Sequence, residues 1–330
     1  MVSSEASHPF VTVVIPVRNG EATLGDCLAA IVAMDYPPDR REIVVVDNGS
    51  TDRTPEIVRR FGLRYIREER RGAVNARNRA IAETEGEMLA FVDADCMVTK
   101  RWLRELMDAL ADDTNAAAAG ELVAYPPRTD AERYMARRKP LWQQWASARR
   151  APWFLIGNCA IRRSVFDQIG VLDPAFAVVG CEDIELSRRF FDAGLELRYC
   201  PRALAFHRHR ATARSLFRQQ LRNGRGQSLV QYRYSSTLPW GWREELAAWL
   251  DLAGAAWRLT STLTRRMAGG VGREDVSHVY HDLVLKVGQR LGFTLGWLRW
   301  RLTAARRTGL RARLPLTRAN EPLAPSIDGS

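Results

Sequence analysis

The sequence predicts an α/β fold around a mostly parallel sheet, on three observations. Short β-branched runs alternate with helical spacing through the first hundred residues. Those runs are apolar throughout, as strands covered on both faces read. Polar clusters then follow them at Val17-Arg18-Asn19, at Asp47 and at Asp93-Ala94-Asp95. Open sheets of this kind bind ligands beyond the carboxyl ends of their strands.

Each element has its own signal. Phe10 to Pro16 (FVTVVIP) is a β-branched run closed by proline, as a buried strand should be. Leu24, Leu28, Ile31 and Val32 share one face of a helix over Gly20 to Met34. Glu42 to Val46 (EIVVV) is a second strand, followed by a polar loop from Asp47 to Asp52. Pro55 suits a first helical turn, and the helix runs from Glu56 to Phe61. Leu63 to Ile66 is a third strand, Ala73 to Thr84 a helix, and Met88 to Val92 a fourth strand ending at Asp93.

The middle of the chain differs. Tyr125 to Arg150 carries Pro126, Pro127, Trp142, Trp145 and many arginines, and reads as an excursion followed by a helix. Ile156 to Ile161 is strand-like, Ser164 to Ile169 a short helix and Gly170 to Phe176 a turn. In Glu182 to Asp192, Ile184, Leu186, Phe190 and Phe191 form the apolar side of a helix. Leu195 to Tyr199 and Ala203 to His207 read as two strands, and a basic helix follows through Arg225. From about Pro239 the pattern is amphipathic helix only, with a break at Gly269, Gly270 and Gly272.

Composition bounds the function. The 330 residues suffice for about two domains, or one with an extension. The five cysteines are widely spaced with no CxxC pair, which argues against a disulfide framework or zinc knuckle and for reduced thiols. A formal charge of +11 points to a polyanion, an anionic membrane or a phosphorylated ligand. All the basic residues except Lys100, Lys139 and Lys286 are arginines, a bias read mainly as GC-rich coding. The opening MVSSEASHPF lacks the basic and apolar regions of a signal peptide, so secretion is not expected. No apolar stretch reaches the ~18 residues of a membrane span.

Asp93-Ala94-Asp95 is the centre of the chemistry. Two carboxylates two positions apart at a strand end can reach one divalent cation, and hard oxygen ligands suit Mn²⁺ or Mg²⁺ shared with a diphosphate. A surface turn is the simpler alternative for D-x-D alone. Its context, TEGEMLAFVDADCMV, resembles the nucleotide-sugar segment of family 2 glycosyltransferases of the GT-A fold. So do VTVVIPVRNGEATLGDCLAAI, EIVVVDNGSTDRT and RGAVNARNRAI. GNCAIRRSVFDQIGVLDPAF and GCEDIELSRRFFDAGLELRYCP resemble that family's acceptor-side blocks, in the same order.

The resemblance implies a metal-dependent, inverting transfer of sugar from a nucleoside-diphosphate sugar. Pro16, Val17 and Arg18 would line the nucleotide pocket, Asp47 would bind the base, and Arg77 the nucleotide or its phosphates. Asp93 would meet the ribose and help the metal, Asp95 would bind the metal, and His207, with His209 as substitute, would be a further ligand. Gly157 and Asn158 would border the donor sugar or acceptor. Asp183 of the Glu182-Asp183 pair would be the general base, although acidic residues also favour helix N-termini without catalysis. UDP is the nucleotide expected from the Asp47 context, with GDP and dTDP as alternatives.

The domain plan is a flexible stretch over 1–9, a GT-A catalytic domain over 10–235, a helical basic extension over 236–319 and a disordered tail from Asn320 to Ser330. The catalytic domain divides into a nucleotide-binding half, 10–100, and an acceptor half, 101–235. FRQQLRNGRG (Phe217 to Gly226) partly resembles the Q-x-x-R-W block of polymer-forming relatives. Gln219 and Arg222 fit, but Asn223 stands where tryptophan would, which favours single addition, with Arg222 clamping the diphosphate. Leu283 to Leu314 has no acid, with arginines interleaved among Trp297, Trp300 and leucines. That pattern suits either an anionic membrane surface or packing on the catalytic domain. The expected enzyme is therefore cytoplasmic, peripheral on the inner membrane face, and acts on a lipid-linked or envelope glycan. A sugar nucleotidyltransferase would want a glycine-rich phosphate loop after the first strand, which IPVRNGEATL lacks. A nucleic-acid-binding protein would want a reading helix or zinc signature, and neither is present.

Overall fold

The structure, a computed structural model, describes residues 8–138, 153–235 and 242–308, with side chains 242 and 304–308 outside that description. The expectations for residues 1–7, Trp142, Trp145, Pro239, Arg311, Arg313 and the tail from Asn320 lie outside the described residues.

Strand and helix alternate first: β1 (Val11–Val17), α1 (Leu24–Val32), β2 (Arg41–Asp47), α2 (Thr54–Arg60), β3 (Arg64–Arg67), α3 (Ala73–Glu83) and β4 (Met88–Val92). Then come β5 (Cys96–Val98), α4 (Trp102–Ala109), β6 (Asn115–Ala124), α5 (Asp130–Arg138), β7 (Asn158–Arg162) and α6 (Arg163–Ile169). The chain continues through α7 (Glu182–Asp192), β8 (Glu196–His207), α8 (Ala213–Arg233), α9 (Trp242–Met267) and α10 (Arg273–Thr308).

The strands form one mixed sheet in the order β3-β2-β1-β4-β7-β6-β8-β5. β3, β2, β1 and β4 are parallel, and β7 runs antiparallel to both β4 and β6. β8 is parallel to β6, and short β5 closes the far edge antiparallel to β8. These directions matter. The carboxyl ends of β1, β2, β4, β6 and β8 meet the amino ends of β5 and β7 along one edge, as the pairs Val92–Asn158, Cys96–His207 and Ala124–His207 record.

Alternation along the strands supplies two cores. Val11, Val13 and Ile15 pack against Leu24, Leu28, Trp102 and Leu103 on one face. Val14, Val44 and Phe91 pack against Val74, Phe166 and Phe190 on the other.

Two sequence-based expectations change, and three elements had none. Leu195–Tyr199 and Ala203–His207 are a single strand, whose register shifts between the pairs Gly120–Cys200 and Glu121–Leu204. Pro201 falls in that bulge, where its missing N–H costs no ladder bond. The basic helix continues past Arg225 to Arg233. No pattern-based expectation covered β5, α4 and β6. β6 (NAAAAGELVA) is alanine-rich, a composition that favours helix, and only its burial between β7 and β8 makes it a strand.

The arginine-rich C-terminal helix packs along α8. Gly288, Gly292 and Gly296 recur every fourth residue and so share one face. A methyl group at Gly292 would overlap the Leu221 carbonyl, one at Gly296 the Ser228 hydroxyl, and one at Gly224 the Gln289 carbonyl. α9 runs antiparallel beside α10, tied by Lys286–Asp251 at 2.6 Å, Arg258–Asp282 at 3.2 Å and Arg290–Glu245.

Candidate active site

A cleft of about 810 Å³ opens over the convergent strand ends. Pro16, Val17, Arg18, Asn48, Arg77, Asp93 and Asp95 line it from the parallel half of the sheet, and Tyr125, Arg128, Glu132, Arg208, His209 and Arg210 from the other. Glu182 and Arg222 complete the wall from α7 and α8. Six arginines therefore face four carboxylates, a balance suited to a ligand carrying several negative charges.

The side of the cleft formed by the loops after β1 and β2 is a knot of hydrogen bonds. Asn19 takes a left-handed conformation (φ 51°), which asparagine tolerates better than most residues. Its Oδ1 accepts the Thr51 N–H at 2.9 Å, and its own N–H donates to the Ser50 hydroxyl at 2.8 Å. The loops after β1 and β2 are thereby fixed to one another, and Arg18 donates to the Asn48 carbonyl at 3.3 Å.

Asp47 does not reach the cleft. It is fully buried, its Oδ1 accepting the Ser50 N–H at 2.8 Å and its Oδ2 the Tyr65 hydroxyl at 2.6 Å. Successive residues at a strand end point to opposite sides, so its neighbour Asn48 lines the cleft instead. Asn158 is also internal. Its Oδ1 accepts Trp102 Nε1–H at 2.6 Å, and its Nδ2 donates to the carbonyls of Glu121 and Ala203 at 2.9 and 3.0 Å. That amide bridges β7, α4 and the β6–β8 pair at the bulge. Neither residue is among those that line the cleft.

Gly157 precedes β7 and lies beside Asp93. An added Cβ there would sit 2.5 Å from Asp93 Oδ2, so glycine makes room for that carboxylate. Arg77, nearly fully buried on α3, donates to Asp93 Oδ1 at 2.7 Å and to Glu182 Oε1 at 3.1 Å. Burial works against its charge, but Asp93 and Glu182 outweigh that and raise its pKa. One guanidinium thus joins the strand-end acid to the acidic helix start across the cleft.

Asp95 stands between two basic side chains: His207 Nε2 is 3.5 Å from its Oδ1 and Arg210 3.9 Å from its Oδ2. The Arg208 N–H donates to the Asp95 carbonyl at 2.9 Å, fixing the β8 end over it. Asp95, Cys96 and His207 bring one ligand atom each within 4.8 Å of one another. Burial, then the charges of Asp95 and Asp93, hold the Cys96 thiol well above its ordinary pKa, so it stays protonated and ligates poorly. With the thiol set aside, the Asp95 carboxylate and the His207 imidazole remain of that group, a donor pair that fits Mn²⁺ or Mg²⁺. His207 Nδ1 and Arg77 Nε are buried without a hydrogen-bond partner among the described residues. His209 lines the cleft, and burial, then His207, lowers it to about 4, which keeps it neutral at pH 7.

Asp183 is partly exposed and lies just behind Glu182, outside the cleft lining. Burial, then the charge of Glu182, pushes its carboxyl up to about 7, against the Ile184 N–H and Arg77. The turn before it needs left-handed backbone at Gly180 (φ 78°) and Cys181 (φ 66°), which sets the α7 N-terminus at the cleft.

Tyr125, Arg208 and Arg210 join the site without a sequence-based expectation. Arg208 lies 4.6 Å over the Tyr125 ring and pairs with Asp26 at 2.6 Å, closing the floor between β8 and α1. The alternation His207-Arg208-His209-Arg210 at a strand end is the signal that could have found them.

A strand-end cleft with acids at its centre and arginines around it, on a mixed α/β sheet, suits a ligand that carries phosphates. Comparison with known proteins makes the class specific. The model of Glycosyl transferase family 2 matches residues 12–170. Glycosyltransferase AglE of Haloferax volcanii is 32% identical over 67% of this chain and 74% of its own length. Probable glycosyltransferase YdaM of Bacillus subtilis is 31% identical over 68% of this chain and 57% of its own length. A mannosyltransferase from Pyrobaculum calidifontis, solved with GDP-Man and Mn²⁺, shares the fold with a TM-score of 0.59 at 21% identity, covering 88% of each chain. This chain belongs to glycosyltransferase family 2 and has the GT-A-like fold with a C-terminal helical region.

Proposed function

We propose that the chain is an inverting, divalent-cation-dependent glycosyltransferase. It moves a sugar from a nucleoside-diphosphate sugar to a hydroxyl of a lipid-linked or cell-envelope glycan. The observation that carries this reading is a single cleft in which Asp93, Asp95, six arginines and Glu182 face one another. Asp95, Asp93 and His207 would hold the cation, which when bound offsets charge on a departing diphosphate.

The chain's own residues do the rest. Arg18, Arg210 and Arg222 bind the phosphates. Arg77 holds Asp93 and Glu182 in place. Asp183 takes the proton of the acceptor hydroxyl as its oxygen attacks the anomeric carbon. The bond to the diphosphate breaks on the opposite face, the electron pair leaves with the nucleotide, and the anomeric centre inverts. An elevated Asp183 pKa suits a base that works near neutral pH.

UDP-sugars remain the first donors to test, although Asp47 gives them no support from its inward position. The test is donor hydrolysis across UDP-, GDP- and dTDP-sugars, with Mn²⁺, with Mg²⁺ and with chelator. Cation-dependent hydrolysis of one nucleotide class is expected. Hydrolysis unchanged by chelation counts against the metal role, and no hydrolysis of any donor counts against the transferase reading.

A further inference from the structure

Among the described residues no helix is long and apolar enough to cross a membrane. Yet α10 leaves a row of large apolar side chains in solvent. Val287, Leu291, Leu295, Leu298 and Leu302 are all exposed, Leu302 by 64%. Their spacings of four, four, three and four residues place them on one helix face, next to the glycine face that packs on α8. At ~1.5 Å per residue the row spans roughly 22 Å.

Charge tells which partner fits. From Lys286 to Thr308 the helix has six cations and no acid. Arg299 and Arg301 flank the row, exposed, with their guanidiniums 5.4 and 4.1 Å from the rings of Trp300 and Trp297. α9 carries a second exposed apolar row, Leu246, Leu250 and Trp257, but its helix also holds Glu244, Glu245 and Asp251. Lys286 and Arg290, at the start of the α10 row, are paired with Asp251 and Glu245 of α9, so the positive border of the row is its far half, where Arg299 and Arg301 stand in a stretch without acids.

We propose that the α10 row lies flat on an anionic lipid surface, leucines in the acyl boundary and arginines at the phosphates. The row sits one helix from the cleft. Arg222 lines the cleft from α8, and two residues on, Gly224 touches α10 at Gln289. A lipid surface under α10 would bring a membrane-borne acceptor to the side of the cleft formed by α8. This deepens the reading of a lipid-linked acceptor and rests on it for that last step only.

The test is co-sedimentation of the full chain with vesicles, without donor or acceptor. Vesicles of roughly one-third phosphatidylglycerol in phosphatidylcholine should bind the chain, and pure phosphatidylcholine should bind at least about tenfold less. Binding should fall as salt rises from about 0.1 to about 0.5 M. L291E/L298E should lose about tenfold or more of the binding, and R299Q/R301Q a few-fold, each with the far-ultraviolet spectrum and donor hydrolysis of the parent. L302Q, at the most exposed position, gives the same direction if the double variant fails to fold. Equal binding by the α10 variants, loss only in L250E/W257E, or a dimer that L291E dissociates without any vesicle binding would each overturn the proposal. Absent donor hydrolysis with intact vesicle binding would sink the transferase reading and leave the surface assignment standing.

Discussion

Two acidic pairs meet on one arginine, Arg77, and their surroundings differ more than their sequences do. Asp93 and Asp95, after β4, are met by basic side chains: Arg77 at 2.7 Å, His207 at 3.5 Å and Arg210 at 3.9 Å. Glu182 and Asp183, at the start of α7, share only Arg77, and that guanidinium bonds Glu182. Asp183 makes no ion pair among the described residues, and burial with a like charge beside it raises its pKa. Identical carboxyl chemistry is thus held beside basic side chains at one place and beside a like charge at the other, the contrast on which the proposed cation and base roles rest.

The sharpest way to break this comparison is Asp183→Asn. Loss of a general base should lower kcat by roughly 10²–10⁴-fold with donor affinity little changed. The parent's kcat should rise with pH through about 7, because only the deprotonated carboxylate is a base. Stability should run the other way. The folded pKa lies above the ordinary 3.8, so the fold holds the proton more tightly than the unfolded chain does. The parent therefore loses stability as pH rises from about 4 towards 7. Asp183→Asn should have the higher Tm at pH 8, and the gap should close on acidification. A variant with parental kcat, or a lower Tm at pH 8, would separate Asp183 from proton transfer.

Asp95→Ala probes the opposite wall. It should reduce cation-dependent turnover by about 10²–10³-fold, with the pH profile of any residual rate unchanged. A variant still stimulated by Mn²⁺ to the parental rate would move the cation away from the β4 end. The smallest kinetic effect belongs to Asn158→Ala. Removing an amide that brackets β7, α4 and β8 should cost about 1–3 kcal/mol in denaturant unfolding, while KM for donor moves less than a few-fold. A large KM change with parental stability would return Asn158 to the ligand.

How much is legible in the sequence follows the same division. Arg18, Arg77, Asp93 and Asp95 stand in the cleft because they follow or brace strands whose apolar runs are plain in the sequence. Asp47 and Asn158 come from equally distinctive blocks, but their polar atoms are spent inside the protein. A side chain that holds the scaffold and one that holds a ligand have the same letter. The alternation at the end of β8 marks Arg208 and Arg210 as a basic cluster but not whom they meet, because their partners, Asp26 and Asp95, are more than a hundred residues away in the chain. The C-terminal helix shows its charges first, whereas its most specific feature is the fourfold spacing of Gly288, Gly292 and Gly296.

By itself the sequence determined the alternation of buried strands and amphipathic helices, and with it the edge at which charged loops gather. Periodicity and apolar content are local properties, and burial acts on them residue by residue. Tertiary structure alone decided that an alanine-rich segment became β6, which acids met arginines and which carboxyl had its pKa raised. Those outcomes depend on desolvation and on charges that chain folding brings within a few ångströms, and no window of sequence contains them.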